Sequence, residues 1–395
     1  MTTKIGTGAS SNRDTTAALK EALGHALWKL DGKSASFGFL FLGPKHDTAN
    51  AAALAQKQLG SAPLLTSTTA GELTELGWSH DGLVVMLVAS DSFEFKANFA
   101  SGLRAQVANV AERLCNGLAD TKRAAQVGGR RHMTSVLLTD GLAGTGEDLV
   151  QRMFELMHSV PRIVGGAAGD EAKFERTLVG LGSTVAPDSA VALHVFSRKP
   201  WGIGVDHGLR PTSTPMRVTR ATDNIVHEID GAPAFDAYRA HAAKRGMTLT
   251  QANASAYMIA NEIGIHFFER ITRARAPLST DAKGALTCAA SIPEGSMISI
   301  LDGEPDSMIQ AARRAAESAK AGLEGAEPAG VLLFDCVCRG MILKDGFRRE
   351  IEAVRSVFGD VPVAGFLTYG EIARRPGHLD GWHNATAVVA AIPAD

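Results

Sequence analysis

Three stretches of this chain share one frame: a proline, seven residues, a glycine and a carboxylate. They begin at Pro63, Pro161 and Pro362 and end at Gly71-Glu72, Gly169-Asp170 and Gly370-Glu371. Each follows a helical pattern, and before that a short apolar run at residues 37–42, 134–139 and 330–335. A run that is apolar throughout, rather than alternating, predicts a strand covered on both faces. A parallel strand returning after one helix makes a right-handed crossover. The chain therefore reads as repeated strand-helix-strand-strand units in an α/β fold with mixed parallel and antiparallel sheets, arranged as two pseudo-similar halves.

Composition narrows the function. With 45% hydrophobic and 21% charged residues the chain is an ordinary globular sequence. Forty Lys and Arg against 42 Asp and Glu leave a net charge of -2, so no general field draws in nucleic acid or an anionic membrane. The N-terminus has no apolar leader segment, and no run of eighteen apolar residues occurs, so a cytoplasmic protein is expected. Four cysteines do not make a disulfide framework, and Cys336 and Cys338 lack the second half of a zinc site.

Local signals place the elements. Asp14 and Asp47 are helix caps, with helices to about Leu30 and from Thr48 to Leu59. Residues 82–89 and 93–99 read as an antiparallel hairpin joined by Ser90-Asp91-Ser92, followed by a helix over 103–119. Residues 201–211 read as a glycine-rich section, and a helix opens at Pro233. A boundary near 244–250 divides the chain into domains 1–245 and 246–395. In the second part strands are expected at 269–275, 285–290 and 297–301, then an alanine-rich helix from Pro305.

Glu72, Asp170 and Glu371 follow strands at the edge where open α/β sheets hold ligands. Each either faces a ligand or caps a turn. The third copy differs in carrying Tyr369 beside Gly370 and Glu371, opposite Cys336, Cys338 and Arg339 at the end of the partner strand. Those six residues are the candidate ligand-binding set, with no catalytic residue and no metal ligand assigned. A cysteine near an arginine has the setting of a lowered pKa, so a cysteine-dependent enzyme or thiol redox switch at Cys336 and Cys338 is the alternative to an inert packed pair. Arg270, Arg273 and Arg275 either hold a carboxylate ligand or form a solvated strand face. Residues 165–169 lack the lysine of a P-loop, and no nucleophile elbow occurs.

In this order, Gly6-Thr-Gly-Ala-Ser10, Ser67-Thr-Thr-Ala-Gly71-Glu72, Val164-Gly-Gly-Ala-Ala-Gly169-Asp170, Cys336-Val-Cys-Arg339, Gly365-Phe-Leu-Thr-Tyr-Gly-Glu-Ile372 and His383-Asn-Ala-Thr386 resemble the FIST sensory domain, in its N-terminal and C-terminal parts. The resemblance implies a small-ligand sensor, often fused or coupled to histidine kinases, chemoreceptor-type modules or cyclic-di-GMP enzymes, and the absence of a nucleophile, base and orienter set makes a non-enzymatic one the expectation. For some members it implies haem and nitric oxide, for others amino acids or related metabolites. The 395 residues leave no stretch for an output domain, so a separate partner is expected. If haem is bound, His207, between Asp206 and Gly208, is the candidate axial ligand.

Overall fold

Phe37-Gly-Phe-Leu-Phe-Leu42 forms a strand whose six residues are all buried, as its unbroken apolarity requires. The helices around it start where short acids cap them: the Asp14 carboxylate accepts the Ala17 N–H at 2.8 Å and Asp47 that of Asn50 at 3.0 Å. The computed structural model describes residues 3–158, 162–267, 270–374 and 381–394, with backbone alone at 270–272. Pro161 and Glu269, both used in the sequence reading, lie outside the described residues.

Three six-stranded sheets share one order. The first runs Lys4–Ser10, Leu83–Ala89, Phe37–Leu42, Leu64–Thr68, Val179–Leu181, Thr184–Ala186. The second runs Glu94–Ser101, Ser189–Ser197, His132–Thr139, Arg162–Ala167, Glu371–Arg374, Trp382–His383. The third runs Gly202–Asp206, Ala387–Pro393, Pro328–Cys336, Val363–Thr368, Glu72–Thr74, Gly77–Ser79. In each, the third and fourth strands are the parallel pair of the repeated unit, and every other neighbour is antiparallel. Helices cover these mixed sheets, as expected for the α/β class. Two copies of the unit precede residue 245 and one follows it.

The proline-to-acid frame explains how the sheets are joined. After its glycine the chain leaves its own sheet, and the short strands beyond it close another: 72–79 closes the third sheet, 371–383 the second and 179–186 the first. The exchange is cyclic. At its centre the Ala70 N–H donates to the Leu367 carbonyl, that of Tyr369 to Ala167, and that of Gly169 to Thr68. The inner faces meet in one apolar core containing Phe39, Phe41, Val136, Leu138, Phe334 and Phe366. Phe41 and Phe366, from different sheets, have ring centroids 4.9 Å apart. Helices pack outside, and close approach fixes two glycine pairs. A Cβ at Gly204 would lie 1.8 Å from the Ala315 carbonyl of the helix Pro305–Ala321, and one at Gly8 2.0 Å from the Ala22 carbonyl of the helix Thr15–Lys29.

A nine-stranded sheet within residues 210–302 forms a module beside this body, with its own core of Val218, Phe235, Tyr238, Met258, Ile263 and Ile298. The helices Ala234–Lys244 and Gln251–Ala260 contribute to it, so elements on both sides of residue 245 share its sheet and core.

Several local expectations are corrected. Residues 83–89 and 94–101 are not a hairpin: Ser90-Asp91-Ser92 carries the chain from the first sheet to the second, where Glu94–Ser101 pairs with Ser189–Ser197. The helix over 103–119 is two, Leu103–Leu114 and Leu118–Val127, separated at Gly117 with φ 73°. Part of the glycine-rich section is the strand Gly202–Asp206. Only Cys336 ends the partner strand; Cys338 and Arg339 lie in the helix that follows it, Val337–Leu343. The strand Lys4–Ser10 and the helix Gln251–Ala260 had no counterpart in the sequence reading.

Candidate functional site

Cys336 and Thr368 are register partners in the third sheet's parallel pair, so the residues after them emerge on one rim. A cavity of about 700 Å³ opens there, between the three-sheet body and the nine-stranded module. Small-molecule sites occupy roughly 300–1,000 Å³. The body supplies Cys336, Cys338, Tyr369, Trp382 and Asn384 to its wall, and the module supplies Asn224, Ala276, Leu278 and Ser291. Its acids are Asp140, Glu147, Asp148 and Asp223, the last two exposed at the mouth; neither Lys nor Arg lines it among the described residues.

Tyr369 ties two units together. Its hydroxyl donates to the Asp170 carboxylate and accepts the Asp170 N–H at 3.2 Å, while its ring stacks on Phe174 with centroids 4.7 Å apart. Asp170 also accepts the N–H groups of Phe174, Glu175 and Arg176. Burial raises the Asp170 pKa, but the Tyr369 hydroxyl and these three N–H donors outweigh it and hold the group below its ordinary value. Trp382 sits where two glycines make room. A Cβ at Gly146 or at Gly370 would come within 2.2 or 2.3 Å of its ring.

Of the six candidate residues, the cavity gathers three: Cys336, Cys338 and Tyr369. Gly370 backs onto Trp382, and Glu371 lies behind the wall, fully buried. The Glu371 carboxyl accepts from the Thr368 hydroxyl at 2.7 Å and from the Thr386 N–H and hydroxyl at 3.0 and 2.8 Å. Burial pushes it up to about 7 even so. Glu72, its counterpart after the first unit, is held by Thr69, Ser79 and Gly82 and is likewise pushed up to about 7 by burial. These two acids close turns, as does Asp170.

Arg339 does not reach the cavity. It is fully buried, paired with Glu350 at 2.6 Å and Asp335 at 3.1 Å, and donates to the carbonyls of His207, Ala385 and Met308. The lowering expected at Cys336 from a neighbouring arginine is absent. The hydrogen bond with Cys338, then burial and the carboxyls of Glu371 and Glu262, push the Cys336 thiol well above the usual cysteine value. His207 is away from the cavity wall, with its Nδ1 accepting the Leu209 N–H at 2.9 Å. The cavity fits haem poorly: no histidine lines it among the described residues, Cys336 is held as a thiol, and the Tyr369 hydroxyl is engaged by Asp170.

Arg273 and Arg275 of the strand Arg270–Arg275 face an internal partner. Arg275 reaches Glu147 at 3.0 Å and Arg273 does so at 3.4 Å, while Ser291 donates to the other Glu147 oxygen at 2.9 Å. Glu147 begins the helix Gly146–Leu156 of the body, so this cluster bridges body and module at the cavity's edge. The side chain of Arg270 lies outside the described residues. Sequence reasoning missed Asp140, Glu147, Trp382 and Asn384. Asp140 had a usable signal, since it follows the parallel strand of the second unit much as the Cys336 to Cys338 segment follows that of the third.

Residues 36–232 match the FIST N domain and residues 234–374 the FIST C domain. An uncharacterized protein of Methanocaldococcus jannaschii is 33% identical over 76 residues, 19% of this chain and 15% of that protein. An uncharacterized protein of Mycobacterium tuberculosis is 27% identical over 194 residues, 47% of this chain and 49% of the relative. The matches thus span about half of these curated relatives or less. A solved cyanuric acid hydrolase, described as an evolutionary innovation by structural concatenation, aligns over 99% of this chain and 100% of its own at 11% identity and a TM-score of 0.36. No helix among the described residues is long and apolar enough to cross a membrane.

Proposed function

The chain belongs to the FIST family, whose domains are sensory modules of signal transduction, and from that premise we propose that it binds a small amine-bearing metabolite in the cavity between body and module and signals through a separate partner. The observation that carries this reading is the make-up of the cavity: both bodies contribute walls, the aromatic rings of Tyr369, Phe174 and Trp382 line it, and its charged lining is acidic. Such a surface suits a cationic head with an apolar body, because aromatic faces and carboxylates both attract an ammonium group. It disfavours a free carboxylate, since Arg273 and Arg275 are already engaged with Glu147.

A ligand touching both bodies has a different affinity for each arrangement of the two, which is the requirement for shifting their populations. The Glu147, Arg275 and Ser291 cluster is the contact such a shift would strain. The reader of that shift would be a separate histidine kinase or cyclic-di-GMP enzyme, the partner class that the sequence resemblance implies. A haem and nitric oxide role has no support from the cavity's residues. The test is calorimetric titration with phenethylamine and phenylacetate, which share a ring and differ in charge. Saturable phenethylamine binding, weakened by Asp223→Asn and Phe174→Ala, is expected; phenylacetate binding with no phenethylamine binding would overturn the reading.

A further inference from the structure

The cavity has a neighbour. A second one of about 400 Å³ shares Ala172, Val337 and Met341 with the first and extends toward Trp78, His80 and Glu171. Between them runs the segment from Glu171 to Phe174, in which Glu171, Ala172 and Phe174 have left-handed φ of 57°, 60° and 56°. Three non-glycine residues in that region are held only where surrounding contacts enforce it. Here the enforcing contacts are the three N–H groups gathered by Asp170 and the stack of Phe174 on Tyr369. The two cavities therefore meet along a short shared wall, lined on both sides by Ala172, Val337 and Met341.

The chemistry at the far ends matches. Asp148 and Asp223 stand at the mouth of the first cavity with no lining cation among the described residues. In the second, the charged lining residues are Glu171, Asp345 and Lys344, with Lys173 beside Glu171 and His80 held toward its neutral form by burial. Glu171 Oε1 is enclosed without a hydrogen-bond partner; its charged neighbours, His80 Nδ1 and Lys173 Nζ, stand off by 4.0 and 3.9 Å from the carboxylate. The shared span between the ends is apolar, with Val337 and Met341 on it.

We propose that the two cavities form one bipartite site for an elongated aliphatic di- or polyamine, with one ammonium group at Asp223 and Asp148 and another at Glu171. This rests on the reading of the first cavity as an amine site and adds the second end. A methylene chain suits the apolar span, and an ammonium at each end supplies close donors to the exposed carboxylates of Asp148 and Asp223 and to the enclosed Glu171 Oε1, which has no hydrogen-bond partner.

The experiment is calorimetric titration of the full chain with spermidine and with propylamine, for the unmodified protein, Asp223→Asn, Glu171→Gln and the double variant, with unchanged unfolding midpoints confirming intact folds. Spermidine is expected to bind one to one and more tightly than propylamine. Each single substitution should weaken spermidine about tenfold, as loss of a charge-assisted contact does, whereas propylamine should respond to Asp223→Asn alone. Spermidine affinity unmoved by Glu171→Gln, with propylamine still bound at Asp223, would overturn the bipartite site and leave the first cavity's reading standing. Absence of binding by both amines would overturn both.

Discussion

Replacing Glu371 by Gln should change stability in a direction set by pH. The carboxyl is fully buried behind the cavity wall, with three donors from Thr368 and Thr386, and its pKa is raised from the ordinary 4.5 to about 7 by burial. A group raised in the folded state adds stability that is fully present below its unfolded pKa and is lost as pH rises through the folded value. Between about pH 4.5 and 7 the unfolded chain has released the proton while the folded chain keeps it, so each pH unit lowers stability by about 1.4 kcal/mol. Over that interval the loss is about 3 kcal/mol. Glutamine is neutral throughout and lacks this slope. Urea unfolding of both proteins from about pH 5 to about pH 8 measures the difference. Near the acid end the variant should be equal or less stable by up to about 1 kcal/mol, the worth of a perturbed hydrogen bond. Near the alkaline end the gap should have moved toward the variant by about 3 kcal/mol. Glu72 gives the unmodified protein a second slope of the same sign, which the comparison cancels. A gap constant across the range would refute the reasoning, because it would mean that Glu371 ionises alike in both states.

Arg339→Met should lower stability by about 3–5 kcal/mol, because Glu350 would lose its buried cation; chemical denaturation reads this, and a loss under about 1 kcal/mol would count against a structural role for the arginine. Gly204→Ala should destabilise by about 1–3 kcal/mol or more by forcing the helix Pro305–Ala321 off its strand, whereas Gly24→Ala, with nothing within 4 Å of the added carbon, should raise the melting temperature through a helix gain of about 0.5–1 kcal/mol. Thiol labelling near neutral pH should be slow at Cys115, Cys288 and Cys336 of the folded protein and fast in denaturant, since burial pushes Cys115 to about 11 and Cys288 to about 12 and the setting of Cys336 is likewise unfavourable to thiolate. One cysteine labelling at the free rate would revive the redox reading.

What the sequence disclosed is what short-range chemistry controls. The apolar run at 37–42, the caps Asp14 and Asp47, and the alanine-rich helix from Pro305 are each determined by neighbours within a few residues, and each forms where the pattern puts it. The three frames also mark matching junctions. Their destinations were not legible, because Glu72 pairs with a strand some three hundred residues away and nothing local names that partner. The same limit misassigned Ser90-Asp91-Ser92, whose polar residues suit a turn and a crossing between sheets equally well. At the site, strand register brought Cys336 and Tyr369 to one rim as expected, but Arg339 turned inward. The module's share of the cavity depended on packing between two separate cores, which no periodicity reports.

Native-state mass spectrometry of the purified chain, with release and identification of any bound small molecule, tests the central claim most directly. The account predicts an amine-bearing compound bound one to one, lost in Phe174→Ala and Asp223→Asn. A bound organic anion, or haem retained with those substitutions in place, would contradict it.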